Sequence, residues 1–476
     1  MEEELLLAGE SNSTEYKVTV PHDSEQYMKT VVAFANGQGG TIVFGVDDSL
    51  RVVGMERDTI FQTLDAITNA ISDSCEPRIV PSLSLQTIEG NTVIVVEIES
   101  GRQRPYFLKS KGIVDGTYTR VGATTRVVAD YMLRELILEG QNRYFDSEIH
   151  EGLHITDEDI QLLCTTLKDV ALKNASRHDS FDIKDVTAHE LLSWGVLAER
   201  EKALVPTNAY ALLTGHASYR PVVQCAVFKG TTRAYFVDRR EFAGPIQDQV
   251  ESAFQYVREK INLGMRLQGI LRQDVYELPM DSVREVIANA IAHRSYLEPG
   301  NVQVALYDDR LEITSPGMLV SGVSIEKMKA GYSKIRNRAI ANAFAYMRII
   351  EQWGSGIPRV IRECKEYGLP EPAFIDFGTD LRVNIYRSRP GFNEVSPVND
   401  RERPYGVAAF TDDDRALLAL LHGHPRFTQQ EIASALNWTV GQVKYYQTKL
   451  KKLQSIKRVG TSQKGYWEVL VPLHNL

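Results

Sequence analysis

The chain has no run of about 18 consecutive apolar residues, so no membrane span is expected. Its first residues lack a basic stretch followed by an apolar one, so no signal peptide is visible. Cysteine is scarce: there are only four, at 75, 164, 225 and 364. None is close enough to another for a zinc knuckle or a thioredoxin-like pair, and such spacing points to a reducing cytoplasm. No Walker-type lysine motif occurs, which leaves a helicase without support. Long internal repeats and low-complexity tracts are also missing. Net positive charge is absent, because 54 Lys and Arg stand against 62 Asp and Glu for a formal charge of -8. Affinity for nucleic acid must therefore be decided by local charge. What remains is an ordinary soluble composition, 43% hydrophobic and 24% charged, over 476 residues. That is about three domains by the length prior.

Periodicity divides the chain. Segment 1–138 reads as mixed α/β. EQYMKTVVAFAN has Met28, Val31, Val32 and Ala35 at helical spacing, GQGG stops it, and TIVFGV is a short apolar strand. DDSLRVVG reads as a turn into another strand, DTIFQTLDAITNAISDSC as a helix, and SLSLQTI with TVIVVEI as a strand pair around EGN. YMLRELILEG closes the segment as a helix. Segment 139–275 is a connecting α/β region with a helix capped at Thr156, a hairpin and the helix IQDQVESAFQYVREKINLGM. Segment 276–388 holds the helix DSVREVIANAIAHRSY and a strand–turn–strand, VQVALYDDRLEITSPG. Residues 389–404 are rich in proline and poor in apolar residues, as in a linker, and 405–476 form a separate last segment.

That last segment is the most legible. DDDRALLALLHGH, TQQEIASALN and TVGQVKYYQTKLKKL predict three helices, and SIKRVGTSQKGYWEVLV two short strands around a polar turn. Three helices with a two-stranded wing make a winged helix-turn-helix pattern, and TQQEIA with GQVK resembles bacterial winged-helix modules. Residues 440–466 carry seven basic residues and no acidic ones: Lys444, Lys449, Lys451, Lys452, Lys457, Arg458 and Lys464. A helix and wing of that sign suit a phosphate backbone. A winged helix used only for protein contacts is the other possibility these residues leave open.

In segment 276–388, Glu285, Asn289 and His293 recur every four residues and drift slowly round one helix face. With EQWGSGI, holding Gly354 and Gly356, this resembles the gyrase, histidine-kinase and MutL (GHKL) ATPases. The resemblance implies that Glu285 activates water, Asn289 binds magnesium, and the glycine stretch cradles phosphate. The adenine-binding aspartate of that family is missing, and Ser315-Pro316-Gly317 stands in its place. ATP binding and an ATPase-derived fold kept for dimerisation are both open on these residues.

His150-Glu151-Gly152-Leu153-His154 matches the zinc-protease pattern HExxH. Gly152 interrupts it and the next helix begins only after Thr156, so the match falls in a junction where two histidines cannot share a helix face.

The stretches ESNSTEYK, AFANGQGGTIVFGVDD and RPYFLKSKGIVDGTYTRVGATT resemble the Schlafen-type AlbA-like (AlbA_2) domain. The whole order, with a GHKL-like region and a terminal winged helix, resembles its bacterial members. In the nuclease-active Schlafens, two glutamates five apart and the second aspartate of GVDD bind metal. The resemblance places these at Glu10, Glu15 and Asp48. Three carboxylates can hold Mg²⁺ or Mn²⁺ through oxygen, and Lys17 could neutralise charge on a phosphate. Period-two spacing puts Glu15 and Lys17 on one face of a short strand, with Tyr16 and Val18 buried on the other. Arg102, Arg104, Lys109, Lys111, Arg120 and Arg126, against Asp115 alone in 102–126, form a candidate phosphate-binding face.

The expected fold is α+β and multidomain: a Schlafen/AlbA-like α/β domain, a GHKL-like α/β sandwich and a C-terminal winged helix-turn-helix. The expected protein is cytoplasmic, homo-oligomeric and nucleic-acid-binding, engaging DNA or RNA, tRNA included, as a regulator or anti-phage defence factor. Its chemistry is expected to be a divalent-metal-dependent nuclease at Glu10, Glu15, Asp48 and Lys17. The alternative is a non-catalytic, nucleotide-switched DNA-binding transcriptional regulator.

Overall fold

The computed structural model describes residues 9–56, 58–175, 183–268, 271–320, 322–351, 354–387, 412–436, 438–452, 455–459 and 466–469. The linker expected at 389–404 lies outside the described residues, as does Lys464. Two compact units, Met1–Phe392 and Asn393–Leu476, are taken in turn.

The first unit opens with a four-stranded sheet. It contains β1 (Thr14–Lys17), β2 (Gly40–Phe44), β3 (Ser82–Ile88) and β4 (Asn91–Ile98) in the order β1-β2-β4-β3. β1 runs parallel to β2, and the other pairs are antiparallel. Helix α1 (Glu25–Asn36) covers one face, packing Met28, Val31 and Phe34 with Ile42, Phe44, Ile94 and Val96. Tyr16, Val43, Val93 and Val95 form a smaller cluster on the other face. Helix α2 (Ile60–Ser74) follows, then a hairpin of β5 (Tyr118–Val121) and β6 (Thr124–Val127), and then α3 (Asp130–Gly140).

Two local expectations fail here. DDSLRVVG forms no second strand; it makes one isolated bridge, Val46 to Val52. Asp47 draws it into a tight turn by accepting from the Ser49 and Arg51 amides, both at 2.9 Å. Val18, expected to be buried, is exposed, because β1 stops at Lys17.

The second sheet has six strands: β7 (Val223–Phe228), β8 (Phe236–Phe242), β9 (Val302–Leu306), β10 (Arg310–Pro316), β11 (Ala373–Asp376) and β12 (Asp380–Tyr386). Their order is β8-β7-β9-β10-β12-β11, with only β7 and β9 parallel. Helices α4 (Ile246–Lys260), α5 (Met280–Ala292), α6 (Arg338–Tyr346) and α7 (Gly356–Glu366) contribute to one apolar core with it. That core holds Val250, Ile287 and Phe344 against Cys225, Val304 and Ile313. The segment read as a connector thus supplies two strands of the same sheet.

The second unit has three helices, α8 (Asp412–Gly423), α9 (Gln429–Leu436) and α10 (Val440–Lys452), with an antiparallel pair, β13 (Ile456–Val459) and β14 (Tyr466–Val469). Leu417, Leu421, Ile432, Val443, Leu450 and Trp467 fill its core. Two T-x-x-E/Q stretches nucleate α9 and α10. The Thr428 amide donates to Glu431 at 2.7 Å, and the Thr439 amide to Gln442 at 2.8 Å.

Candidate functional site

The carboxylates of the first sheet come first. Glu15 sits on the buried side of β1, under α1. Its Oε1 meets Lys17 Nζ at 2.8 Å, and its Oε2 accepts from Thr30 Oγ1 at 3.0 Å and from Arg120 Nη1. Arg120 is itself buried. Its remaining donors reach the Ser11 carbonyl (3.1 Å) and the Thr14 carbonyl (3.2 Å), and its guanidinium lies over the Phe34 ring. Glu10 is exposed and accepts from the Tyr16 amide at 3.3 Å, while Asp48 is exposed beyond the Asp47 turn. Among the described residues, no group of three His, Cys, Asp or Glu side chains could hold a metal ion. The expected convergence of Glu10, Glu15 and Asp48 on Mg²⁺ or Mn²⁺ is therefore not formed. The physical reason is that both oxygens of Glu15 already face cations, which a divalent ion would have to displace.

The basic face also divides. Arg102, Lys109, Lys111 and Arg126 are exposed, with Lys111 paired to Glu25 at 2.5 Å and Lys109 donating to the Asp73 carbonyl at 2.9 Å. Arg104 and Arg120, expected to face phosphate, point inward. Arg104 binds Glu139 (3.0 Å), Ser100 Oγ (3.0 Å) and the Gly37 carbonyl. A charge count along the sequence shows sign but not direction.

The second sheet builds a cavity of about 1200 Å³, including its part open to solvent. Glu285, Asn289, His293, Ser315, Gly354 and Gly356 all line it. Glu285 and Asn289 meet because they lie one turn apart on α5, with Asn289 Nδ2 donating to Glu285 Oε1 at 2.9 Å. Arg359 of α7 donates to Glu285 Oε2 at 2.8 Å and also pairs with Glu351, which accepts from Ser355 Oγ. Burial pushes the Glu285 carboxyl up, whereas the Ser355 hydroxyl holds Glu351 down. Helix α5 ends at Ala292, so His293 caps it rather than continuing it, with its amide on the Asn289 carbonyl (2.9 Å). Both glycines sit at close approaches. Gly354 has φ +71°, and a Cβ there would lie 2.1 Å from the Gly331 carbonyl oxygen; a Cβ on Gly356 would lie 2.1 Å from Glu285 Oε1. Ser315 Oγ donates to the Ala290 carbonyl at 2.7 Å, which leaves it as an acceptor toward the cavity. The residues fit a nucleotide: acceptors, an amide and close-approaching backbone in one concave site. Arg359, Glu351, Lys334 and Arg336 were not singled out by the sequence, because isolated charges inside helical or loop segments carry no distinguishing spacing.

Desolvation, with Arg336 nearby, drives the His293 imidazole down to about 4. Between pH 6.5 and 4 the unfolded chain therefore takes up a proton that the folded chain refuses, and stability falls on acidification. Glu298 and Asp146, pushed up by burial to about 7 and about 6, run the opposite way. Comparison of wild type with His293→Gln isolates the term. Wild type should lose on the order of 1–2 kcal/mol relative to the variant between pH 7 and pH 5 in urea titrations.

The HExxH match has no helix: α-helical structure resumes only at Asp157. His150 uses Nδ1 on Asn208 (2.7 Å) and Nε2 on Ser218 (3.1 Å).

In the second unit Lys444 and Lys457 are exposed, Lys449 pairs with Asp414 at 2.5 Å, and Lys451 and Arg458 lie over Trp467. Lys452 ends α10.

This geometry defines an α+β chain with an ATPase-like pocket and a separate basic unit. Residues 10–129 match the family described as "Schlafen, AlbA_2", and residues 300–385 the family described as "Putative ATP-dependent DNA helicase recG C-terminal". The chain thus carries a Schlafen AlbA_2 domain followed by a domain of the recG C-terminal, ATPase-like type. No curated protein matches it. Among solved structures, the DIP2311 protein from Corynebacterium diphtheriae is 19% identical over 96% of this chain and 92% of that one, with a TM-score of 0.42. The N-terminal domain of the "Putative ATP-dependent DNA Helicase RecG-related Protein" from Nitrosomonas europaea is 23% identical over 27% of this chain and 91% of that one, with a TM-score of 0.20. Among the described residues, no helix is long and apolar enough to cross a membrane.

Proposed function

We propose that this protein is a nucleic-acid-binding regulator that holds a nucleotide in the α5–α7 pocket and does not cut what it binds. The observation that supports it most is the basic run of 440–466, which has no acidic residue. Its helix α10 and strands β13 and β14 display Lys444 and Lys457 to solvent. We read α8, α9, α10 and the strand pair as a winged helix-turn-helix, with α10 facing the major groove and the strands the backbone. ATP-type ligand binding is supported by the grouping of Asn289, Ser315, Gly354 and Gly356 in one cavity. The enclosure of Glu15 by Lys17 and Arg120 opposes a metal nuclease.

The test is duplex DNA binding by fluorescence anisotropy across a salt series, with tRNA and single-stranded RNA as further arms. Lys444→Ala with Lys457→Ala should weaken duplex binding and reduce the salt slope by about 2, roughly 0.9 per lost phosphate contact. Unchanged affinity and slope would leave the second unit another role. The same mixtures with Mg²⁺ or Mn²⁺ should show no cleavage. Cleavage that disappears in Asp48→Asn, an exposed position, would restore the nuclease.

A further inference from the structure

The GQGG turn and the buried Arg104 are used by neither the pocket nor the basic unit, yet both converge on one wall of the pocket. Residues 318–320 and 334–336 line the nucleotide cavity on one side and a second cavity of about 720 Å³ on the other. That second cavity is closed by α3, the helix that directly follows the matched Schlafen residues, through Glu135 and Glu139. Arg336 pairs with Glu135, and Lys334 with Glu139 at 3.5 Å. The other oxygen of Glu139 holds Arg104 at 3.0 Å, and Arg104 in turn holds the Gly37 carbonyl. Next to it, Gln38 Nε2 donates back to the wall at the Val320 (3.1 Å) and Leu319 (3.3 Å) carbonyls. The circuit is closed: wall to α3, α3 to Arg104, Arg104 to the glycine turn, and the turn to the wall. The Arg336 side chain is only 10% exposed, and its Nε is buried without an acceptor.

Resting on the nucleotide reading of the pocket, we propose that Lys334 and Arg336 are shared cations. They bind the phosphates of a nucleoside di- or triphosphate, and in doing so they release Glu139 and Glu135 of α3. A phosphate chain is a stronger and geometrically better partner for a guanidinium than a single carboxylate. Glu298 and Asp380 lie close enough to Glu135 to act on the same ionisation, with Arg294 and Arg336 as the balancing cations. When Arg336 turns to phosphate, Glu135 loses its ion-pair partner beside Glu298 and Asp380, which loosens the dock. By reciprocity, a loosened dock favours the nucleotide.

Calorimetry on the full chain with MgATP, MgADP and adenosine tests this, together with hydrogen exchange over residues 130–140. Glu135→Gln with Glu139→Gln should tighten MgATP on the order of tenfold and leave adenosine unchanged. Lys334→Ala, at an exposed position, should weaken MgATP and again leave adenosine unchanged. In wild type, MgATP but not adenosine should speed exchange in α3. MgATP affinity unmoved by the glutamate changes, or α3 exchange indifferent to MgATP, would overturn the sharing while leaving a nucleotide site intact. No heat with any of the three ligands would remove the nucleotide site itself, and this proposal with it.

Discussion

Arg120→Ala should cost the first unit about 3–5 kcal/mol, the range for breaking a buried ion pair by removing one partner. Arg120 is the hub of a buried cluster: it neutralises Glu15, satisfies the Ser11 and Thr14 carbonyls, donates to Thr125 Oγ1 at 3.1 Å, and covers Phe34. Its removal leaves Glu15 with Lys17 and Thr30 alone in a buried position, and frees backbone acceptors that tie the start of β1 to the β5–β6 hairpin. Thermal unfolding should drop by roughly 5 °C, because a unit of this length shifts by only about 1 °C per kcal/mol. Part of that loss should return in Glu15→Leu with Arg120→Leu, because a buried pair replaced by apolar groups avoids the orphaned charge. Exposed Arg102→Ala and Arg126→Ala should leave the melting temperature unchanged. If Arg120→Ala melts like wild type but binds nucleic acid less well, Arg120 belongs to the phosphate face after all.

Gly356→Ala should weaken nucleotide binding roughly ten- to a hundredfold while the chain stays folded. The added carbon would lie 2.1 Å from Glu285 Oε1, and that oxygen cannot simply swing away. Asn289 holds it at 2.9 Å, and Arg359 holds the other oxygen at 2.8 Å. Either α7 retreats from α5 or the Glu285–Asn289–Arg359 set breaks. Overpacking of this kind costs about 1–3 kcal/mol. A misfit of 1.4 kcal/mol is already about tenfold in affinity. Calorimetry with MgATP on wild type and Gly356→Ala reads it directly, and circular dichroism checks the fold. Binding that survives unchanged would place the phosphates away from the α7 N-terminus.

Local sequence signals translated well where the physics is local. The spacing of Met28, Val31 and Val32 gave α1, Thr156 gave a cap that the structure closes with Asp159 at 2.8 Å, and Glu89-Gly90 gave the turn between β3 and β4. Glu285 and Asn289 were legible for the same reason, one helical turn apart. Direction was not legible. Arg104 and Arg120 carry the same charge as Arg102 and Arg126, and only tertiary packing decides that the first two turn inward. Nor was long-range pairing. β7 lies beside β9 in parallel, although a long stretch holding α4 and α5 separates them, and nothing in either strand announces its neighbour. Glu15 shows the limit most sharply. Its match to the Schlafen pattern implied a metal ligand, but the residue that occupies its charge, Arg120, lies 105 positions away.

The parallel contact of β7 with β9 has a consequence for anyone cutting the chain. A fragment beginning at residue 276 would keep β9, β10, β11 and β12 but lose β7, the strand hydrogen-bonded along one side of β9 from Val302 to Leu306. That side would then be an unpaired edge holding buried Val302, Val304, Ala305 and Leu306, short and apolar, without the charged outer strand β8 as a guard. Edges of that kind recruit strands from other molecules. Such a fragment should aggregate rather than behave as a small soluble ATPase, and a cut placed before β7 should not. The stretch that looks like spacer between two recognisable domains is what covers the β9 edge of the second one.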